Sequence, residues 1–321
     1  MKAIVQDVYG SADVLRFEDV EVPVAPKGHV LLRVGAASAF IGDWHVMTGT
    51  PYAIRLVSGL RHPKVRVRGQ DVAGTVEALG EEVTGFDIGD EVFGVGIGTF
   101  AEYAIARADR IAPRPSNLGF EEAATVPTTG CTALQGIRDV GKVAEGQRVL
   151  VIGAAGGVGS FGVQIAKAYG AHVTGVCSTS KIDLVRAIGA DEVIDYTREE
   201  IVDGTRRFEV IFDTAGNREA SYLRGALTPK GILVMAGGEG GGKWLGMGRV
   251  MRAKALSAFV GQKLTNYLAR PNTADLLVLK DLIETGRVTP AIGSRVPLSD
   301  TAAVMRELGT GHGRGKVVIT I

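Results

Sequence analysis

The stretch VLVIGAAGGVGSFGVQIAKAYG, residues 149–170, sets the fold class. An apolar run over 149–152 enters a cluster of Gly153, Gly156, Gly157 and Gly159, and an amphipathic run leaves it. That is a strand, a tight turn and a helix. The spacing is A-x-G-x-x-G from Ala154, so alanine stands where the usual first glycine would be. The physics survives the change. A glycine at 156 lets backbone approach a pyrophosphate, and the helix N-terminus offers unpaired N–H groups and a positive dipole end. Gly159 lets the helix pack closely on the strand. A second strand follows about 20 residues on, which completes the dinucleotide-binding unit. The expected contacts are Ala155, Gly156, Gly157 and Val158. The bland alternative is a tight strand–helix turn with no ligand.

The next strand selects the dinucleotide. It ends GVCSTSKIDL, 175–184, with no Asp or Glu where a ribose 2′-hydroxyl would be held. Ser178, Thr179 and Lys181 occupy that place. Hydroxyls and an ammonium suit a 2′-phosphate, which a carboxylate would repel. NADPH is the expected cofactor. Lys181 in the first turn of a helix is mildly misplaced against the dipole, which fits an anionic partner.

Upstream of this unit, residues up to about 110 read as short β-rich runs separated by turn signals. They suggest a partly open β-barrel or sandwich. The segment 117–141 reads as one or two helices interrupted at Pro127. Helices are then expected over 157–169, 180–189 and 218–227, alternating with strands. This alternation predicts a doubly wound α/β parallel sheet of Rossmann type. After about residue 270 come two helices and a final strand, KVVITI, which could return to the first domain. The expected division is 1–122 with 268–321 as the substrate domain, and 123–267 as the cofactor domain. The glycine-rich segment 237–248 reads as a candidate mobile loop.

Composition bounds the rest. The chain has 321 residues, 45% apolar and 22% charged, with a formal net charge of +1. Two soluble domains are the natural expectation, with no nucleic-acid surface and no membrane partner. Cys131 and Cys177 are the only cysteines, which excludes a disulfide framework and fits a reducing cytoplasm. The N-terminus MKAIVQDVYG reads as a strand and lacks the apolar core of a leader.

A β-rich domain, then VPTTGCTALQGI at 126–137, then the glycine loop, then GRGKVVI at 313–319 resembles the medium-chain dehydrogenase/reductase superfamily. The likeness spans essentially the whole chain. GADEVIDY at 189–196 and the terminal GKVVI resemble its zinc-independent, quinone-oxidoreductase-like branch. The resemblance implies a GroES-like catalytic domain with the Rossmann unit inserted, and a homodimer formed by sheet edges. The run ALSAFVGQ, 255–262, is the expected edge strand.

The zinc enzymes of this superfamily carry a cysteine in the loop corresponding to SAFIGDW, 38–44, and a histidine in a G-H-E motif. Here the loop has no cysteine, and RGQDVAG places Gln70 at the histidine. An amide is a poor substitute for thiolate or imidazole. No metal is expected. The adjacent Asp43, Trp44 and His45 then read as pocket wall and loop anchor. Asp43 is expected to hold backbone N–H groups or a basic side chain, and Trp44 to pack near the cofactor cleft. Phe40-Ile41 replaces an Asn-Pro common in the branch, so the pocket, which Phe40, Asp43 and Trp44 line, should be more apolar than usual.

Without a metal, the acceptor must need little polarisation. Quinones and α,β-unsaturated carbonyls qualify, because added hydride spreads charge through an enolate that a few hydrogen-bond donors can stabilise. Candidate donors are Tyr52, Thr129 and His45. The resemblance implies that Thr129 in VPTTG also abuts the nicotinamide. It implies that Tyr196 lies at the adenosine end and that Lys316 reaches back to the cofactor. Thr214 with Ala215, and Ala236 with Gly237 and Gly238, should end two parallel strands at the cofactor crevice. Two other readings stay open: a reductase or dehydrogenase of unconjugated aldehydes, ketones or alcohols, and an NADPH-binding protein with little turnover.

Overall fold

A computed structural model describes residues 1–236, 247–310 and 315–321. It divides into two compact units. The first comprises Met1–Cys131, Pro271–Thr285 and Pro290–Ile321; the second comprises Thr132–Arg270 and Gly286–Thr289.

The first unit starts with strands β1 (Lys2–Val5) and β2 (Arg16–Asp19), paired antiparallel. Strand β3 (His29–Ala39) follows, then helices α1 (Ile41–Thr48) and α2 (Arg55–Ser58). Strands β4 (Asp71–Leu79), β5 (Glu91–Ile97) and β6 (Tyr103–Pro113) succeed one another antiparallel. β6 also pairs with β3, which curls the sheet back on itself as a partly closed barrel. Its interior is aliphatic and aromatic, with Val30, Leu32, Val72, Val92 and Phe100 buried. Burial along β3 to β5 comes in runs of three or four consecutive residues, so these strands are covered on both faces over much of their length.

Helices α3 (Phe120–Ala124) and α4 (Pro127–Leu134) come next. The segment is divided into two helices just before Pro127, which begins the second. Proline is favoured at the first helical position, where its missing N–H costs nothing. The division between units falls inside α4, between Cys131 and Thr132.

The second unit holds β7 (Arg148–Ile152), α5 (Gly157–Ala168), β8 (His172–Cys177), α6 (Ile182–Ala187) and β9 (Glu192–Asp195). It continues through β10 (Phe208–Asp213), α7 (Ala220–Leu223), β11 (Leu227–Met235), α8 (Met247–Ser257) and β12 (Lys263–Asn266). The helix expected over 180–189 is a 3₁₀ turn at Thr179–Lys181 joined to α6. That expected over 218–227 is α7 followed by a 3₁₀ turn at Arg224–Ala226. The sheet is parallel in the order β12-β11-β10-β7-β8-β9. Strand order reverses between β7 and β10, which is where open α/β sheets bind ligands. The edge strand is β12, not 255–262. Residues 255–257 complete α8, and the chain turns before β12. The helical repeat continues through Ala253 and Leu256, which pack with the sheet's core, so the start of the apolar run completes a helix and its remainder forms the turn before β12.

The chain returns to the first unit with α9 (Thr273–Glu284), β13 (Ile292–Pro297), α10 (Thr301–Leu308) and β14 (Lys316–Thr320). β14 pairs antiparallel with β3, so the last strand does join the first domain's sheet.

Candidate functional site

In the second unit, β7 ends at Ile152 and the chain turns through Gly153 at φ +80°. A Cβ on Gly159 would lie 2.0 Å from the Gly153 carbonyl oxygen, so glycine is required for α5 to sit this close to the turn. Gly156 is the extended N-cap of α5 and no side chain caps the helix. The Ser160 N–H donates to the Gly156 carbonyl at 2.9 Å. The N–H groups of Gly157, Val158 and Gly159 therefore precede the helical ladder, as an anion site requires. A Cβ on Gly156 would meet nothing nearer than the Gly153 oxygen at 3.2 Å. An open approach over an uncapped twelve-residue helix fits a pyrophosphate.

The neighbouring strand ends are tied to this turn. Thr214 donates its hydroxyl to the Ile152 carbonyl at 2.8 Å. Asp213 accepts from the N–H groups of Ala215 and Gly216 at 3.2 and 3.0 Å. It also pairs with Arg249 of α8, whose Nε donates to the Arg218 carbonyl at 2.6 Å. Ala236 follows β11 and donates its N–H to the Asp213 carbonyl at 2.9 Å. Gly237 and Gly238, with the rest of the segment up to 246, lie outside the described residues.

At the end of β8, Ser178 is extended and leads into the turn that carries Thr179 and Lys181. Thr179 donates its hydroxyl to Asp195, which also accepts from the Thr197 N–H at 3.0 Å. An acid therefore stands beside the strand end that the sequence shows as acid-free. Asp195 ends β9, which neighbours β8, so its place in GADEVIDY was the available signal. Arg198 offsets it at 3.6 Å, and the Arg218 guanidinium stands 5.6 Å from the ring of the neighbouring Tyr196. Cys177 is buried, and its thiol is pushed up to about 11 chiefly by that burial, so it stays protonated.

In the first unit, the start of α1 meets the starts of β4 and β14. Asp43 accepts from the Phe40 N–H at 3.1 Å, the carboxylate half of a capping box, and from the Gln70 side-chain amide at 3.1 Å. It is a loop anchor rather than an open pocket wall, being 5% exposed. Burial, and then the charge of Asp71, push its carboxyl up to about 7. Asp71 accepts from both the N–H and the hydroxyl of Thr128, with the Lys316 ammonium 3.5 Å away. Lys316 is 2% exposed and stands 5.3 Å from the Phe40 ring centre. Burial pushes Asp71 up and Lys316 down, while their attraction opposes both displacements. The ammonium expected to reach for cofactor is thus an internal partner of Asp71. The first residue of β14 faces the barrel, which the bare GKVVI motif does not reveal.

Trp44 packs with the first unit's core, where a Cβ on Gly309 would come within 2.5 Å of its indole nitrogen. It is a prop between α1 and the end of α10. His45 has its Nδ1 at 2.8 Å from the Thr50 carbonyl. A carbonyl accepts only, so Nδ1 bears the hydrogen and Nε2 of the neutral ring is an acceptor. Burial lowers the His45 pKa and favours that neutral form. Thr129 is buried and donates its hydroxyl to the Thr125 carbonyl at 2.9 Å. Its free lone pairs suit accepting, not donating to a developing oxyanion. Tyr52 is 42% exposed, with the Arg55 guanidinium 5.0 Å from its ring centre.

The metal-ligand positions hold Gln70, whose amide is engaged with Asp43, and a loop without cysteine. This donor set does not fit zinc. Among the described residues no group of three or more His, Cys, Asp or Glu side chains could hold an ion.

Residues 26–116 match the alcohol dehydrogenase GroES-like domain family, and residues 188–319 match the family described as zinc-binding dehydrogenase. The chain is 34% identical over 345 residues to the 2-methylene-furan-3-one reductase of Solanum lycopersicum, covering 99% of this chain and 79% of that protein. It is 33% identical over 334 residues to the chloroplastic NADPH-dependent alkenal/one oxidoreductase of Arabidopsis thaliana, covering 99% and 79%. The solved quinone oxidoreductase from Coxiella burnetii superposes with a TM-score of 0.86 at 28% identity, covering 100% of this chain and 99% of that one.

Proposed function

Because the chain belongs to the medium-chain dehydrogenase/reductase superfamily, in its quinone-oxidoreductase-like branch, we propose that it is a zinc-free, NADPH-dependent reductase of quinones or α,β-unsaturated carbonyls. When bound, NADPH supplies the hydride. The observation that carries the reading is Gln70, which occupies the place of a zinc ligand with its amide tied to Asp43.

The chain's own residues bind, orient and shield. The uncapped N-terminus of α5 would hold the pyrophosphate through the N–H groups of Gly157 and Val158. Ser178 and Lys181, helped by Arg218 over Tyr196, favour a 2′-phosphate and therefore NADPH over NADH. Asp195 is held ionised by its bonds to Thr179 and Thr197, and the charge that offsets it is Arg198 at 3.6 Å. With its hydroxyl hydrogen given to the Thr125 carbonyl, Thr129 would accept from the carboxamide of the cofactor. With Thr129 and His45 set as acceptors, Tyr52 is the remaining side-chain donor among the three candidates, and solvent is its competitor. A homodimer through β12 is supported by exposed Phe259 and Leu268 on either side of that edge, and sedimentation across a dilution series measures it.

The test follows NADPH oxidation in EDTA with an ortho-quinone, a conjugated enone and a saturated aldehyde. Turnover of the quinone or enone alone, undiminished by the chelator, is expected. Turnover of the saturated aldehyde alone overturns the reading. Tight NADPH binding with no turnover of any acceptor replaces it with a binding role.

A further inference from the structure

Helix α4 begins without a cap of its own. In VPTTG the residue before Pro127 is Val126, which has no side-chain acceptor for the helix's first N–H groups. The missing acceptor comes from β4. One carboxylate oxygen of Asp71 takes the Thr128 N–H at 3.1 Å and the Thr128 hydroxyl as well. Its other oxygen faces the Lys316 ammonium at 3.5 Å, contributed by β14. Asp71 and Lys316 are 0% and 2% exposed. A carboxylate at a helix N-terminus also meets the positive end of the helix dipole. Three segments far apart in sequence therefore converge on one buried carboxylate, and the residue that follows Thr128 is Thr129.

We propose that Asp71 is a positioning residue for hydride transfer: it caps α4 from another strand, with Lys316 as its counter-ion, and thereby fixes Thr129 in place. The inference rests on the reductase reading for its catalytic consequence. The geometry gives the reason for a buried ion pair in a barrel that could otherwise be filled with aliphatic side chains. An apolar pair would pack as well or better, but it could not cap a helix. Asp43 stands by as a second buried carboxyl whose charge opposes that of Asp71. It is held by Gln70 and the Phe40 N–H, so it does not compete for Thr128.

The test uses the full chain with two variants that remove the accepting oxygen, Asp71→Leu and the double variant Asp71→Leu with Lys316→Met. The double variant removes the stranded ammonium, so it carries the experiment if the single one does not fold. Three quantities are measured: the single-turnover rate of NADPH oxidation by the preferred acceptor, the Kd for NADPH by fluorescence, and amide hydrogen exchange over residues 127–131. A displacement of about 1 Å at a positioning group can lower a rate about 100-fold, and a loss of that order is expected in both variants. NADPH affinity should move less than about threefold, because the phosphate sites in the second unit are untouched. Exchange at 128–130 should rise at least about tenfold, while β3 and β4 keep their protection.

Full rate in the double variant overturns the proposal, since Asp71 would then serve only to neutralise Lys316. A rate loss matched by an equal loss of NADPH affinity also overturns it, because the defect would be binding. Unchanged exchange at 128–130 refutes the cap itself. A wild-type chain with no turnover sinks the reductase reading and the catalytic consequence with it, and the exchange experiment then judges the cap alone.

Discussion

Asp43→Asn should change the pH dependence of the first unit's stability in a calculable way. Asp43 is 5% exposed, and its carboxyl rises from 3.8 to about 7 through burial and the neighbouring charge of Asp71. Lys316 and Arg68 face it with positive charge, and neither brings it back to the ordinary carboxylate range. A carboxyl with a raised pKa binds its proton more tightly in the folded state. Between pH 4 and 7 the folded chain therefore carries more protons than the unfolded one, and stability falls as pH rises. The penalty is complete above about 7. A tenfold change in proton affinity is worth about 1.4 kcal/mol, so the full penalty is about 4 kcal/mol, of which about 2.5 kcal/mol develops between pH 5 and 8. Asparagine cannot ionise and escapes it. At pH 5 the variant should be less stable by about 1 kcal/mol, the worth of a weakened hydrogen bond. At pH 8 it should equal or exceed the parent. The assay is urea unfolding in a Trp244→Phe background, which leaves Trp44, in the core beside residue 43, as the sole indole. His45 titrates in both chains, so its contribution cancels in the difference. A stability difference that is the same at both pH values within about 0.5 kcal/mol would show that residue 43 does not ionise across this window.

Three further outcomes are expected. Lys181→Ala should raise the KM for NADPH about tenfold and leave that for NADH unchanged, as loss of a charge-assisted contact to a 2′-phosphate requires; steady-state kinetics with both cofactors decides it. Gly159→Ala should destabilise the second unit by about 1–3 kcal/mol, because its Cβ would fall 2.0 Å from the Gly153 carbonyl; a thermal melt with and without NADPH measures it. Tyr52→Phe should lower kcat about 100-fold if the phenol delivers the proton, and an unchanged kcat assigns that proton to solvent.

The glycine loop announced the second unit because its signal is local: a strand, a turn that only glycine permits, and a helix, all within 149–170. The six-strand order followed from the alternation it begins. The edge strand was misplaced because 255–262 is apolar enough for either structure, and only the continuing helical repeat toward Ala253 and Leu256 distinguishes them. The first unit hid more. Gln70 and Asp71 are adjacent in sequence, yet their side chains serve different partners, Asp43 and Thr128. Lys316 meets Asp71 across 245 residues. No periodicity encodes such a meeting, because it depends on the register of β14 against β3 and of β3 against β4. The VPTTG segment nevertheless left a trace: a helix start with proline at its first position and valine where a cap belongs. A helix end without a local acceptor must find one elsewhere or leave its N–H groups unpaired. That requirement makes Asp71 intelligible as more than a buried charge, and it ties the geometry of α4 to a carboxylate whose ionisation depends on the last strand of the chain.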